Sequence, residues 1–315
     1  MSGWPKPVRI LVRVLVGFVA LVLILAAGVA ISIMVDQRGA AERLDTVANT
    51  TIPGETGGPD VQAYVAVPSA QGPHPVVVMI HEFWGLNPDI VSKADLLAEE
   101  GYLVIAPDTF RGRTTGFIPT AIFQVITTPA DEFNQDVDAV VAWAEEQQSA
   151  DSERIGIVGF CFGGRGSLRY SLHNPAMRAT AVFYGEPVTD AARLKTLQGP
   201  VLGIFGGADS SIPLDSVKAF ERGLKQAGVE STVTVYPNQP HAFVKNAEGI
   251  ASDKVQAQAW DEMVRFLGDA LQNPAMPSVG ATSQQPSRDF YGWAPLLRLA
   301  MHHAGHGSPW DGRMH

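Results

Sequence analysis

The chain carries a single cysteine, Cys161, among its 315 residues. One thiol cannot close an intrachain disulfide, and it cannot build a metal site from several cysteines. Cysteine usage therefore says nothing about redox compartment. Charge is also scarce. Asp, Glu, Lys and Arg make up 17% of the chain, against about 25% in ordinary soluble domains, which points to an embedded segment. Positive charge is the scarcer sign, with 23 Lys and Arg against 32 Asp and Glu and a formal net charge of −9. No long basic run follows the N-terminus, which argues against nucleic acid as a partner. No repeat of fixed period is present. What is plentiful is hydrophobic side chain, 46% of the residues, enough for one sizeable α/β domain plus extensions.

The longest apolar stretch runs over 14–35 without a charge, preceded by Lys6, Arg9 and Arg13. As a helix rising ~1.5 Å per residue it would cross the ~30 Å hydrocarbon core of a bilayer. The apolar core of a secretory signal is shorter, about 7–15 residues. The small residues Ala26, Ala27, Gly28 and Ala30 keep cleavage open, but the length favours an uncleaved single-pass anchor. No cysteine follows, which excludes a lipoprotein signal. The basic flank places the N-terminus in the cytoplasm and the rest of the chain on the extracytoplasmic side. Arg38 and Arg43, beyond the span, weaken that asymmetry.

The expected organisation is an anchor over 1–36, a linker or opening strand over 37–60, one domain over 61–272, and a tail over 273–315. Inside the domain, strands and helices alternate. The run 75–81 (PVVVMIH) is β-branched and continuous, as a strand buried on both faces should be. Further strands are expected over 61–67, 102–106, 155–160, 179–184, 200–205 and 232–236. Helices are expected over 89–100, over 130–148, from the Gly-rich turn through about 172, and over 214–226 and 252–271. On the second of these, Phe133, Val137, Val140, Val141 and Ala144 share a face. This alternation predicts an α/β fold with a mostly parallel sheet covered by helices on both faces. In the tail, a Pro/Ser/Gln-rich spacer leads to His302, His303, His306 and His315. No acidic or cysteine pattern accompanies these histidines, so an exposed tail is favoured over a metal site.

The chemistry is concentrated in Gly159-Phe160-Cys161-Phe162-Gly163-Gly164. This is the form Gly-x-nucleophile-x-Gly between a strand and a helix, a nucleophile elbow. Such a turn puts the thiol at a helix N-terminus, where the dipole favours an anion. The acid and the base should follow in that order along the chain. Asp209 comes after the strand 201–205, and His241 after the last strand. Both lie at carboxyl ends of strands, where α/β sheets place their sites. Alone, Asp209 is a turn residue and His241 a surface histidine; with the elbow they form a Cys-Asp-His triad.

Residues from about 61 to 271 resemble the dienelactone hydrolase family, α/β-hydrolases with cysteine in the elbow. Three stretches carry the resemblance: His81-Glu82-Phe83-Trp84-Gly85, Ala106-Pro107-Asp108, and the elbow. The resemblance implies hydrolysis of a small ester or lactone. It implies that Glu82 contacts the resting thiol, and that the backbone N–H groups of Phe83 and Phe162 form the oxyanion hole. It implies two arginines on a substrate carboxylate. Arg111 and Arg113 compete for the first place, and Lys245 stands at the second, without the bidentate fork of a guanidinium. Trp84 and Tyr184 are expected to line the pocket. No cofactor or metal is called for. Two other readings remain: an anchored binding domain with a vestigial site, and a thiol redox role weakened by the missing resolving cysteine.

Overall fold

The computed structural model describes residues 5–272. Among these, eight strands form one sheet in the order β1-β2-β4-β3-β5-β6-β7-β8. The strands are β1 (Thr50–Ile52), β2 (Val61–Ala66), β3 (His74–Ile80), β4 (Leu103–Pro107), β5 (Ala150–Phe160), β6 (Met177–Phe183), β7 (Val201–Gly206) and β8 (Ser231–Tyr236). β1 and β2 run antiparallel at one edge, and β2 is antiparallel to β4. All remaining pairs are parallel. This is an α/β-hydrolase-like arrangement.

Parallel strands need crossovers, and the crossovers are helices. They include α3 (Pro88–Glu99), α5 (Ala130–Glu145), α6 (Phe162–His173), α8 (Leu214–Ala227) and α10 (Lys254–Leu267), with the short α7 (Ala191–Leu194) and α9 (Ala247–Ser252). β3 is buried at every position, flanked by β4 and β5 and packed by α5 and α6. Burying each Val or Ile there contributes roughly 1.5–3 kcal/mol before the entropy of ordering is subtracted. The expected face of α5 is the one that packs: Phe133, Val137, Val140, Val141 and Ala144 are all buried. α3 starts on Asn87, whose side chain accepts from the N–H groups of Asp89 and Ile90, a standard N-cap arrangement.

The N-terminal helix α1 (Lys6–Gln37) is long and apolar enough to cross a membrane, and none of that apolar window is buried against the protein. A buried core helix is therefore excluded; a span and a signal sequence both fit. The stretch 37–60 is more than a linker. It holds α2 (Ala40–Asp45) and β1, and Ile52 of β1 is fully buried. The opening strand expected as the alternative there does form. Helices α2, α7 and α9 were not expected, and neither was α4 (Ile118–Thr127). Only Pro119 in its first turn marks it in sequence. The histidine tail lies outside the described residues.

Candidate active site

β5 ends at Phe160, and Cys161 is the N-cap of α6 with φ 59° and ψ −110°. Positive φ is costly for a side-chain-bearing residue and marks a strained turn. The flanking glycines are required by space. A Cβ on Gly159 would meet the Gly163 carbonyl oxygen at 2.0 Å, and one on Gly163 would meet the Ile80 carbonyl oxygen at 2.4 Å. The Cys161 N–H donates to the Phe183 carbonyl (3.0 Å), which ties the turn to β6. Arg165, one helical turn on, donates to Glu186 Oε2 at 3.1 Å and secures the first turn of α6.

Asp209 and His241 reach Cys161 from the ends of β7 and β8. His241 Nδ1 lies 2.6 Å from Asp209 Oδ2, and the charge of Cys161 acts on the His241 ring. Asp209 Oδ1 accepts from the N–H groups of Ser211 (2.7 Å) and Ile212 (3.1 Å). Burial alone would strip the proton from His241. The charge of Cys161 and the bond to Asp209 override it and hold the imidazole up at about 10. Burial also acts against the Asp209 charge, but the bond to His241 wins, and its carboxyl sits below the ordinary value. Asp108 and Asp190, also near strand or helix ends, are occupied elsewhere. Asp108 accepts from the N–H groups of Phe110 and Gly112, and Asp190 caps α7.

The loop after β3 is held by His81. Its Nδ1–H donates to the Glu82 carbonyl (2.7 Å), and its Nε2 accepts from the Thr109 N–H (3.2 Å). Full burial pushes His81 down to about 4, so it stays neutral and keeps that one tautomer. Glu82, Phe83 and Trp84 follow, all buried. Phe162 is the first residue of α6, a position whose N–H has no acceptor within the helix.

The sequence model of the dienelactone hydrolase family matches residues 61–271. A protein named as a carboxymethylenebutenolidase in Salmonella typhimurium is 34% identical over 233 residues, covering 69% of this chain and 85% of that one. One named likewise in Escherichia coli strain K12 is 35% identical with the same coverage. The chain belongs to the dienelactone hydrolase family. A solved Klebsiella pneumoniae structure described as a dienelactone hydrolase superposes with a TM-score of 0.63 at 32% identity, covering 70% of this chain and 98% of that one. The dienelactone hydrolase-like phosphotriesterase P91 superposes at 0.61 with 20% identity, covering 70% and 97%, which bears on the fold alone. As a member of this family the protein is a hydrolase of the ester and lactone type.

The dienelactone hydrolase fold distributes the other expected site residues unevenly. Tyr184 is fully buried, its hydroxyl donates to the Val244 carbonyl (3.0 Å), and its ring stands edge-on to His241 at 5.2 Å. The Trp84 ring packs against Phe83 at 4.4 Å. Arg111 turns away to α5, where it donates to Asp136 (2.9 Å) and Gln135 (3.0 Å) and pairs with Glu132 (3.3 Å). Arg113 donates to the Phe110 carbonyl and to the hydroxyls of Thr127 and Thr128. Neither guanidinium has these donors left for a substrate. Lys245 is exposed, four residues past His241. Among the described residues no group of three or more His, Cys, Asp or Glu could hold a metal ion.

Sequence reasoning missed Lys93. It is fully buried, its Nζ stands 4.1 Å over the Phe160 ring and has no hydrogen-bond partner, and it acts electrostatically on Glu82 and Cys161. Burial drives Lys93 down and Glu82 up, and each opposes the shift in the other. Glu82 Oε1 is likewise buried without a partner. The signal was present: Lys93 stands with Ile90, Ala94 and Leu97 on the apolar stripe of α3, where a charge is out of place.

Proposed function

We propose that the protein hydrolyses a small carboxylic ester or lactone through Cys161, His241 and Asp209, by way of a thioester. The 2.6 Å contact between His241 and Asp209, with Cys161 acting on the same imidazole by its charge, is the observation that carries this reading. An imidazole held up at about 10 is protonated at neutral pH and favours a thiolate partner. The Cys161 sulfur attacks the carbonyl carbon, and the oxyanion takes hydrogen bonds from the N–H groups of Phe83 and Phe162. His241 gives its proton to the departing alkoxide, which leaves as the alcohol. His241 then takes a proton from water, whose oxygen attacks the thioester. Collapse releases the acid and returns the sulfur as thiolate beside a protonated His241. Asp209 keeps the imidazole oriented throughout. Glu82 contacts the resting thiol, and Trp84 and Tyr184 wall the acyl site. Lys245 is the cation we assign to a substrate carboxylate, since the donors of Arg111 and Arg113 are committed to the protein.

The same reading keeps α1 as an uncleaved anchor with a cytoplasmic N-terminus, because its apolar run is longer than a signal core. A chromogenic ester assay tests the chemistry. Cys161→Ala should show no hydrolysis above background, and Cys161→Ser should fold yet hydrolyse poorly, since a hydroxyl is far less acidic than a thiol. Mass spectrometry with a slow ester should find an acyl group on Cys161. Undiminished activity in Cys161→Ala would refute the mechanism and move the nucleophile elsewhere, and a wild-type protein with no hydrolysis would leave a binding role in its place.

A further inference from the structure

α4 is inside out. Its inward positions carry Thr120, Ala121, Gln124 and Val125, all buried. Its outward positions carry Phe123 and Ile126, exposed at 37% and 49%, and Phe117 just before it is exposed at 39%. A helix on a water-facing surface keeps its exposed side polar. From residue 114 to residue 130 there is no charged side chain. Singly exposed apolar residues are ordinary, but a contiguous patch on one helix marks a contact surface.

The position of α4 names the partner. α4 is in contact with α1. The contact lies near the end of the apolar run: Asp36 accepts a hydrogen bond from Thr115 Oγ1, three residues before α4 begins. Arg43 pairs with Asp36 at 3.3 Å and donates to the Thr114 carbonyl at 2.7 Å. α4 therefore sits where α1 would leave the hydrocarbon, at the depth an interfacial helix takes. The same unit holds the loop after β3. Gln124 Nε2 donates to the Phe83 carbonyl (2.6 Å), and Thr114 Oγ1 donates to the carbonyls of Trp84 (3.2 Å) and Leu86 (3.0 Å).

We propose that α4 lies in the interface of the bilayer that α1 crosses, with Phe117, Phe123 and Ile126 set among the headgroups and upper acyl chains. The proposal rests on the anchor reading of α1 and extends it from a tether to a docked surface adjoining the active-site loop. Single cysteines placed in a Cys161→Ala background test it, because Cys161 is the chain's only thiol. The full chain is reconstituted in phosphatidylcholine–phosphatidylglycerol vesicles and labelled with an environment-sensitive fluorophore at Phe123→Cys or Ile126→Cys. Val67→Cys, 57% exposed just past β2 at the opposite end of the sheet, is the aqueous control. Leu21→Cys, in the middle of α1, reports on the anchor itself. Nitroxide lipids labelled high on the acyl chain should quench Phe123→Cys and Ile126→Cys at least about threefold more than Val67→Cys. Quenching at Leu21→Cys with none above control at Phe123→Cys and Ile126→Cys would overturn the docked helix and leave the anchor. No quenching at Leu21→Cys would overturn both.

Discussion

Replacing Asp209 with Asn tests the triad at its narrowest point. The carboxylate does two jobs through different oxygens. Oδ1 accepts from the N–H groups of Ser211 and Ile212, and Oδ2 meets His241 Nδ1 at 2.6 Å. Asparagine keeps only one oxygen, and two backbone donors claim it. Its amide nitrogen must then face His241 Nδ1. A donor opposite Nδ1 makes that nitrogen an acceptor and moves the ring proton to Nε2, the side that should receive the proton of Cys161. The charge is lost as well. The interval between 6.5 and about 10 for His241 corresponds to roughly 5 kcal/mol of preference for imidazolium. The charge of Cys161 is the larger raising influence and Asp209 the next. Assigning Asp209 about half of the preference gives roughly 2–3 kcal/mol, or about 30- to 150-fold, and the wrong tautomer adds to it. The expected outcome is a fall in kcat/KM of about 10²- to 10⁴-fold on a chromogenic ester at pH 7. The fold should persist, because the two backbone bonds survive; circular dichroism and the melting temperature check this. A folded Asp209→Asn protein turning over at the wild-type rate would refute the reasoning.

Two further perturbations follow from the buried charges. Lys93→Met relieves the burial of an ammonium without a hydrogen-bond partner but takes away the charge that opposes the upward shift of Glu82, so Glu82 should be driven further up. Iodoacetamide should then alkylate Cys161 about three- to tenfold more slowly at pH 7, because a nearby positive charge favours the thiolate; an unchanged rate would mean that Lys93 only fills space. His81 is held down to about 4 against 6.5, so the unfolded chain binds its proton first. Its contribution to stability is present above about 6.5 and is lost as pH falls through the interval down to about 4. Asp108, raised to about 6 by burial, works in the opposite direction below that pH. The comparison must therefore be between variants: His81→Gln should show a shallower loss of melting temperature between pH 6.5 and pH 4 than the wild type. An equal or steeper loss would contradict the assignment of a neutral, buried His81.

Much of the architecture was legible because burial leaves periodic traces. PVVVMIH over 75–81 reads as a strand covered on both faces, and β3 is buried along its whole length. Gly159 and Gly163 announce a turn too tight for any Cβ, and the distances to the Gly163 and Ile80 carbonyls give the reason. The order of Cys161, Asp209 and His241 along the chain was enough to nominate them together. Other features had no local trace. Whether Arg111 meets a substrate or Asp136 depends on where α5 packs, and nothing within a few residues of Arg111 encodes that. α4 hid because its outward side is apolar, so its pattern does not mark an inside and an outside in the usual sense.

By itself the sequence determined the alternation of strands and helices, the elbow around Cys161, and an uncharged run long enough for a bilayer, since each is a property of consecutive residues. Only the tertiary structure decided that His241 Nδ1 stands 2.6 Å from Asp209, that Lys93 is buried near Glu82, and that 37–60 adds β1 to the sheet edge. It also decided that α4 packs on α1 with its apolar side outward. These are contacts between segments far apart in the chain. Their energies depend on distance, burial and competing partners in three dimensions, which no window of neighbouring residues contains.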